Sequence, residues 1–226
     1  MLNWSDLDAN VDTVMFDMDG TLLDLHFDNY FWEYLVPATY GQRYGLTVEQ
    51  AWEKIMGQYR QMHGTLNWYC VDFWSETLEL DIHGMKAQVR HKIALRPNAT
   101  ELLEHLRAHN KKVLLVTNAH PISLSLKMEH TGLDIHFDRT ISSHTLGLAK
   151  EHEGFWTALC NIEHYEPERT LLVDDTLPVL RRARAEGVRH LLAIEQPDSQ
   201  RPPLAPEEFP QLRDFQQMLP IQETDD

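Results

Sequence analysis

The chain is short of several things at once, and each shortage removes a class of protein. Only two cysteines, Cys70 and Cys160, occur among 226 residues. That is too few for a disulfide framework, so both are expected to be reduced, inert thiols filling the core. No apolar run approaches bilayer-spanning length, which excludes a transmembrane helix. The opening stretch, MLNWSDLDANVD, has no basic region leading into an apolar one, so no secretory signal is expected and a cytoplasmic location is. Positive charge is scarce: 20 Lys and Arg against 35 Asp and Glu leave a net charge of -15. A field of that sign repels polyanions, so neither a nucleic-acid polymer nor a membrane surface is an expected partner. A small anion remains compatible, because a local cation or metal overrides the global field at short range. Neither GxxxxGK[ST] nor GxGxxG is present, which removes the P-loop and dinucleotide fingerprints.

What is present is an ordinary globular composition, 42% apolar and 24% charged, at a length suited to one domain or a core with a smaller insertion. Four segments read as strands buried on both faces: VDTVMFD (11–17), KKVLLVTN (111–118), RTLLVDD (169–175) and RHLLAIE (189–195). Continuous β-branched and Leu runs of this kind fit a parallel sheet. A weaker candidate, DRTISS, lies at 138–143. Helical patterns fill the intervals at 98–110, 121–132, 151–163 and 178–187. The alternation predicts an α/β fold with a doubly wound parallel sheet.

One interval breaks the alternation. Residues 26–95 hold no convincing strand but carry Trp32, Trp52, Trp68 and Trp74 and six tyrosines in helical patterns such as VEQAWEKIMGQYRQMHG. This predicts a helical insertion at 26–95 within a core made of 1–25 and 96–226. Beyond Gln196 a cluster of prolines suggests an extended arm, a short helix around Phe209 to Met218 and a frayed acidic end.

Polar residues collect at the carboxyl ends of the predicted strands, where open α/β sheets bind ligands. The first strand ends in Asp17-Met18-Asp19-Gly20-Thr21, the second in Thr117-Asn118 and a later one in Asp174-Asp175, with Lys150 in the GLAKE segment between them. Each is ordinary alone: an Asx turn, two helix caps and a surface lysine. Asp17 and Asp19, at i and i+2 on a strand end, place two carboxylates on one side. About 4 Å apart they repel by roughly 4 kcal/mol at an effective dielectric near 20. Such a cluster calls for a cation or a raised pKa, and Mg²⁺, a hard ion with oxygen ligands and open positions, suits it. Lys150, read as lying just ahead of a helix, faces the positive end of the dipole, a conflict that a bound anion would remove. Thr117 and nearby backbone amides supply further donors for a phosphoryl group. His105 and His109 share i,i+4 spacing but lack an HExxH glutamate, and are expected on the surface.

This ordered set, FDMDGTL, LLVTN, Lys150 and LLVDD, resembles the four motifs of the haloacid-dehalogenase-like hydrolases across the whole core. Two departures stand out: Glu151 follows the lysine where Pro is common in relatives, and Asp174-Asp175 is followed by Thr-Leu-Pro without a further acid, which makes Asp174 a candidate to serve the metal beside Asp175. The resemblance implies Asp17 as nucleophile forming an aspartyl phosphate and Asp19 as general acid and then base. It implies Mg²⁺, or Mn²⁺, held by Asp17, the backbone carbonyl of Asp19, and Asp175. Thr117, Asn118 and Lys150 would bind the phosphoryl oxygens. Dehalogenating relatives lack the second acid, so phosphomonoester hydrolysis is expected. The aromatic insertion, with Arg43 and Arg60 as candidate anion or base partners, would be a cap that selects the substrate. Its stretch WYCVDFW (68–74) would serve as cap core or as a base-stacking wall. The region is also similar to bacterial 5′-nucleotidases acting on purine monophosphates such as GMP and IMP. That implies a small purine nucleotide as partner for a monomeric enzyme. A sugar-phosphate phosphatase and a catalytically silent binding module are the alternatives.

Overall fold

The computed structural model describes residues 9–205 and 208–220, so the expected acidic end lies outside the described residues. Strands β1 (Thr13–Phe16), β2 (Lys112–Thr117), β3 (Arg139–Ser142), β4 (Thr170–Asp174), β5 (His190–Ile194) and β6 (Gln211–Leu212) form one sheet in the order β3-β2-β1-β4-β5-β6. Every pairing is parallel. The chain winds outward from β1 through β2 to β3, then crosses back to place β4 on the other side of β1. β1 is therefore the switch point, and its carboxyl end opens into the crevice such sheets use for ligands.

The apolar runs work as a two-faced sheet. Val14, Phe16, Val113, Leu115, Leu171, Val173, Leu192 and Ile194 belong to one core cluster, while Met15, Leu114, Val116, Leu172, Leu191 and Ala193 belong to the other. Alternate residues of each strand thus enter opposite layers, and both layers must be apolar. Helices cover both faces. The helical insertion precedes them in the chain, as α1 (His26–Tyr30), α2 (Val36–Tyr44), α3 (Val48–Met62), α4 (Val71–Leu78) and α5 (Ile82–Gln88). The core helices follow as α6 (Ala99–Ala108), α7 (Pro121–Thr131), α8 (Ser143–Leu146), α9 (Phe155–Ile162) and α10 (Leu177–Ala185). α6 and α7 pack on the first layer, through Leu102, Leu103, Leu106 and Met128. α9 and α10 pack on the second, through Phe155, Trp156, Leu159, Val179, Leu180 and Ala183.

Helices α1 to α5 hold a core of their own, built on Phe31, Val36, Tyr40, Ile55, Tyr59, Trp74 and Ile82. α3 starts with a capping box, Thr47 accepting from the Gln50 amide and Gln50 accepting from the Thr47 amide, which satisfies two otherwise orphaned donors. The two chain crossings into this unit run side by side: Leu23 bridges Leu95, Asp24 N–H donates to Ala94 at 2.9 Å, and Arg96 N–H donates to Leu22 at 2.9 Å.

Two expectations change. The helix expected from Glu151 begins only at Phe155, behind Gly154 at φ 85°. Glu186 accepts from the Gly154 and Thr157 amides at 3.0 and 3.1 Å, so a carboxylate from α10 serves this helix start and residues 150–153 are left as loop. In the tail, Gln211–Leu212 joins the sheet beside β5 and only Phe215–Met218 forms a short 3₁₀ turn, capped by Asp214. Leu212, Phe215 and Met218 reach the core through this strand and turn.

Candidate functional site

Register brings the motifs together. Phe16 aligns with Leu115 on one side and Val173 on the other, so Asp17, Thr117 and Asp174 emerge at neighbouring strand ends. All three are buried, as is Lys150. Lys150 Nζ donates to Asp17 Oδ1, to Asp174 Oδ2 at 2.7 Å and to the Val116 carbonyl at 3.1 Å. Lys150 is thus fixed by an acidic cluster; the dipole conflict read from the sequence does not arise, because α9 starts five residues later. Burial would lower the lysine's pKa, but Asp17 and Asp174 raise it above the ordinary value, so it stays charged. Its main-chain N–H donates to Asn118 Oδ1 at 2.9 Å, and Asn118 Nδ2 donates to Glu151 Oε2 at 2.9 Å. The Asn118 side chain therefore braces the Lys150 loop, which leaves its backbone as the group able to meet an anion. Thr117 lines the same cleft and its hydroxyl accepts from the Ala119 amide at 3.0 Å, leaving its proton to donate.

Asp174 has both oxygens engaged, one by Lys150 and the other by the Thr176 amide at 2.8 Å. It anchors the lysine, so of the pair Asp175 is the one that could hold a metal ion. Asp175 lies against Gly20, whose φ is +84° and where a Cβ would come within 2.5 Å of Asp175 Oδ2. Only glycine accepts both the backbone conformation and that approach. Burial and the neighbouring charges of Asp17 and Asp174 push Asp175 well above the ordinary carboxylate range. Burial, with Asp174 adding to it against Lys150, pushes Asp17 up to about 6. A buried and a half-buried carboxylate that disfavour each other's charge, presenting hard oxygen ligands, fit a divalent cation of the Mg²⁺ type.

Asp19 has a different environment. Its Oδ1 accepts from Lys127 Nζ at 2.6 Å. Lys127 also donates to Asp28 Oδ2 at 2.6 Å, and Lys86 donates to Asp28 Oδ1 at 2.9 Å. Lys86 lies over the Phe31 and Phe27 rings, 4.7 and 5.1 Å from their centroids, so aromatic faces help to carry its charge. Burial, then the charges of Asp28 and Asp17, push Asp19 up to about 6 despite Lys127. Burial would raise Asp28 too, but Lys127 and Lys86 prevail and hold it at about 2. A carboxyl whose pKa is raised toward neutrality could both give and take a proton.

Sequence reasoning did not find Lys127, Asp28 or Lys86. One signal was available: Ser123, Lys127 and Thr131 recur at i,i+4 on α7, and Ser123 and Lys127 are buried, so the polar stripe faces inward. Within the helical insertion, the sequence points instead to Arg43 and Arg60. Arg43 is exposed and pairs with Glu79 at 3.4 Å, Arg60 is exposed, and neither lines the cleft. The cysteines also differ from expectation, both being half-buried.

The cleft above this cluster has a volume of about 500 Å³. Asp17, Asp19, Thr117, Lys150 and Asp175 line its floor, and Trp32, Trp52, Tyr59, Trp68 and Tyr69 its upper wall. Trp74 anchors that wall: its indole N–H donates to the Trp68 carbonyl at 2.9 Å, and its ring meets Tyr59 edge-on at 4.9 Å. Within the 68–74 stretch, Trp74 belongs to the core of the helical unit, and Trp68 and Tyr69 line the cleft. Tyr69 also reaches across the cleft, its hydroxyl donating to Glu151 Oε1 at 2.9 Å. Glu151, the departure from the common Pro, thus ties the aromatic unit to Asn118 and Lys150.

Comparison with known proteins fits this geometry. The profile of the haloacid dehalogenase-like hydrolases matches residues 11–187. The chain belongs to that family. It is 44% identical over 217 residues to the GMP/IMP nucleotidase YrfG of Escherichia coli K12, covering 96% of each chain, and equally to that of Shigella flexneri. Its fold is that of a haloacid-dehalogenase-type phosphatase from Thermococcus onnurineus (TM-score 0.76, 21% identity, 92% and 96% of the two chains covered). It is also that of a β-phosphoglucomutase from Thermotoga maritima (TM-score 0.67, 17% identity, 92% and 97% covered). As a haloacid dehalogenase-like hydrolase, the protein carries its family's four motifs on β1, on β2, after β3 and on β4. Among the described residues no helix is long and apolar enough to cross a membrane.

Proposed function

We propose that the protein is a phosphomonoesterase of the 5′-nucleotidase type acting on purine nucleoside monophosphates. One observation carries the reading: a single cleft joins the Asp17–Lys150–Asp175 floor to a wall of tryptophans. Its size suits a small ligand buried between charged and apolar ends. A phosphate meets the floor, and a flat base meets Trp52 and Trp68, where stacking contributes about 1–3 kcal/mol. The 44% identity to nucleotidases named for GMP and IMP supports the same choice.

The residues then divide the work. A carboxylate oxygen of Asp17 attacks phosphorus, the bond from phosphorus to the ribose oxygen breaks, and Asp19 gives that oxygen its proton. Water next attacks phosphorus, Asp19 takes the water's proton, and the Asp17 carboxylate leaves. Lys150, the Thr117 hydroxyl and the Asn118 backbone neutralise phosphoryl oxygens throughout, since positioning and charge stabilisation dominate this chemistry. Asp17, the Asp19 carbonyl and Asp175 would hold Mg²⁺, which when bound offsets charge on the phosphoryl oxygens. The helical unit at 26–95 acts as the cap over the core of 1–25 and 96–226, excluding water when closed. The enzyme acts in the cytoplasm.

A phosphate-release screen with Mg²⁺ tests the assignment. GMP and IMP are expected to exceed ribose 5-phosphate and glucose 6-phosphate in kcat/KM by about tenfold or more, the value of one stacked base. Equal ranking overturns the nucleotidase reading, and no hydrolysis of any phosphomonoester overturns the phosphatase reading.

A further inference from the structure

Beside the phosphate cleft, on the seam between cap and core, three ligand-type side chains converge that the hydrolytic reaction does not use. The ligand atoms of Cys70, His120 and His144 lie within 4.8 Å of one another. They come from three separate places: Cys70 from the start of α4 in the cap, His120 from the loop after β2, and His144 from α8 after β3. The two imidazoles meet edge to face with centroids 4.8 Å apart.

We propose that Cys70, His120 and His144 form a binding site for a thiophilic divalent cation of the Zn²⁺ class, which staples the cap to the core. The donor set is one sulfur and two imidazoles, the set that favours Zn²⁺ over the Mg²⁺ suited to the catalytic carboxylates. Three protein ligands leave the fourth tetrahedral position to water. In a tetrahedral site the ligand atoms stand roughly 3.5 Å apart, so rotation of the three side chains by about an ångström closes the present cluster.

The environment favours this over casual proximity. His144 Nε2 is buried and has no hydrogen-bond partner among the described residues, an unpaired acceptor aimed into protein. The Asn118 backbone hydrogen-bonds the same ring, the outer-shell contact that sets the tautomer and orientation of metal-bound histidines. Cys70 Sγ already accepts from the Phe73 amide at 3.4 Å, a contact that also steadies a thiolate at a helix start. The Asp72 carboxylate stands 3.6 Å from His120 Nε2 and adds negative charge at the edge of the cluster. When the cation binds, the thiol proton leaves to solvent.

The site has a consequence for motion. Tyr69, next to Cys70, already bridges to Glu151 on the core. A cation at Cys70 would add a second, stronger link at the same seam, keep the cleft shut and slow exchange of substrate and product.

Co²⁺, a spectroscopic stand-in for Zn²⁺, tests this on the full chain in excess Mg²⁺. One equivalent should give a near-ultraviolet thiolate-to-cobalt charge-transfer band, which Zn²⁺ abolishes by displacement. Cys70→Ser should remove the band; serine still serves as an N-cap, so folding is retained. His144→Gln should weaken binding by more than about 100-fold, beyond what outer-shell changes usually cost. Cys160→Ser should leave the band intact. No band in the wild type, or a band that survives Cys70→Ser, overturns the proposal. The absorption does not depend on turnover, so its failure is distinct from failure of the nucleotidase reading. For the staple, stoichiometric Zn²⁺ should slow phosphate release in the wild type and not in Cys70→Ser; equal inhibition of both would overturn it.

Discussion

Lys127 Nζ lies 2.6 Å from Asp19 Oδ1, so the proposed acid–base group of the core is held by a buried lysine that Asp28 of the cap also grips at 2.6 Å. The proposed acid–base group, a core helix and the helical insertion share one charge network. Asp28→Asn leaves Lys127 and Lys86 buried without their common counter-ion. Breaking a buried pair in this way typically costs about 3–5 kcal/mol. The expected outcome in urea denaturation is a lower midpoint with an unchanged slope; an unchanged midpoint would mean that the network carries no stability.

The same network gives Asp28 a pH signature. Its carboxyl falls from 3.8 to about 2 on folding, because Lys127 and Lys86 outweigh burial. A depressed acid stabilises above its unfolded pKa, and that stability is lost as pH falls through the folded value. The contribution, on the order of 2 kcal/mol, should disappear between about pH 4 and pH 2. The gap in stability between wild type and Asp28→Asn should therefore narrow by about that amount toward pH 2, by denaturant titration at each pH.

Asp17 and Asp19, pushed up to about 6, and Asp175, raised well above 3.8, have the opposite sign. The folded protein keeps protons there that the unfolded chain has already lost, so without metal its stability falls as pH rises from about 4 to 6. A divalent cation favours the ionised carboxylates and reverses the loss. Mg²⁺ at one hundred times its dissociation constant contributes about 2.7 kcal/mol, roughly 5–10 °C in Tm for a chain of this size. At a fixed Mg²⁺ concentration the Tm gain should be present at pH 8 and small at pH 5. Equal gains at both would place the ion elsewhere.

Gly20→Ala tests the meeting of the first and fourth motifs. The added Cβ would sit 2.5 Å from Asp175 Oδ2 on a backbone with φ +84°. Displacing Asp175 should weaken Mg²⁺ by about 10–100-fold, read by the Mg²⁺ dependence of turnover and by calorimetry.

Trp52→Ala probes the upper wall. If the base stacks there, KM for GMP rises by roughly 5- to 100-fold, while kcat/KM for ribose 5-phosphate, which lacks a base, is unchanged. Equal effects on both substrates would assign Trp52 to cap packing.

Much of this was legible in the sequence for a physical reason. A strand buried on both faces must be apolar throughout, so Val14-Met15-Phe16 and Leu171-Leu172-Val173 identify themselves, and the polar residue that ends each run marks the ligand side. β3 was faint because its first two residues are not buried, and Gln211–Leu212 was invisible because two residues carry no period. Lys150 was selected through a dipole argument that the late start of α9 removes; its partners Asp17 and Asp174 are the actual cause. Lys127 escaped because a lysine in a helix reads as surface, and its pairing with Asp28 spans 99 residues, a distance over which one sequence shows no coupling. Arg43 failed for the converse reason: a cation near aromatic residues in the chain need not face the cavity they line.

Covalent trapping tests whether Asp17 attacks phosphorus. The enzyme turning over GMP with Mg²⁺ is quenched in acid and its peptides are weighed. A hydroxylamine-labile phosphoryl group is expected on the peptide that contains Asp17, absent from Asp17→Asn, which should also release no phosphate. Wild-type turnover in Asp17→Asn, or a phosphoryl group on any other residue, would contradict it.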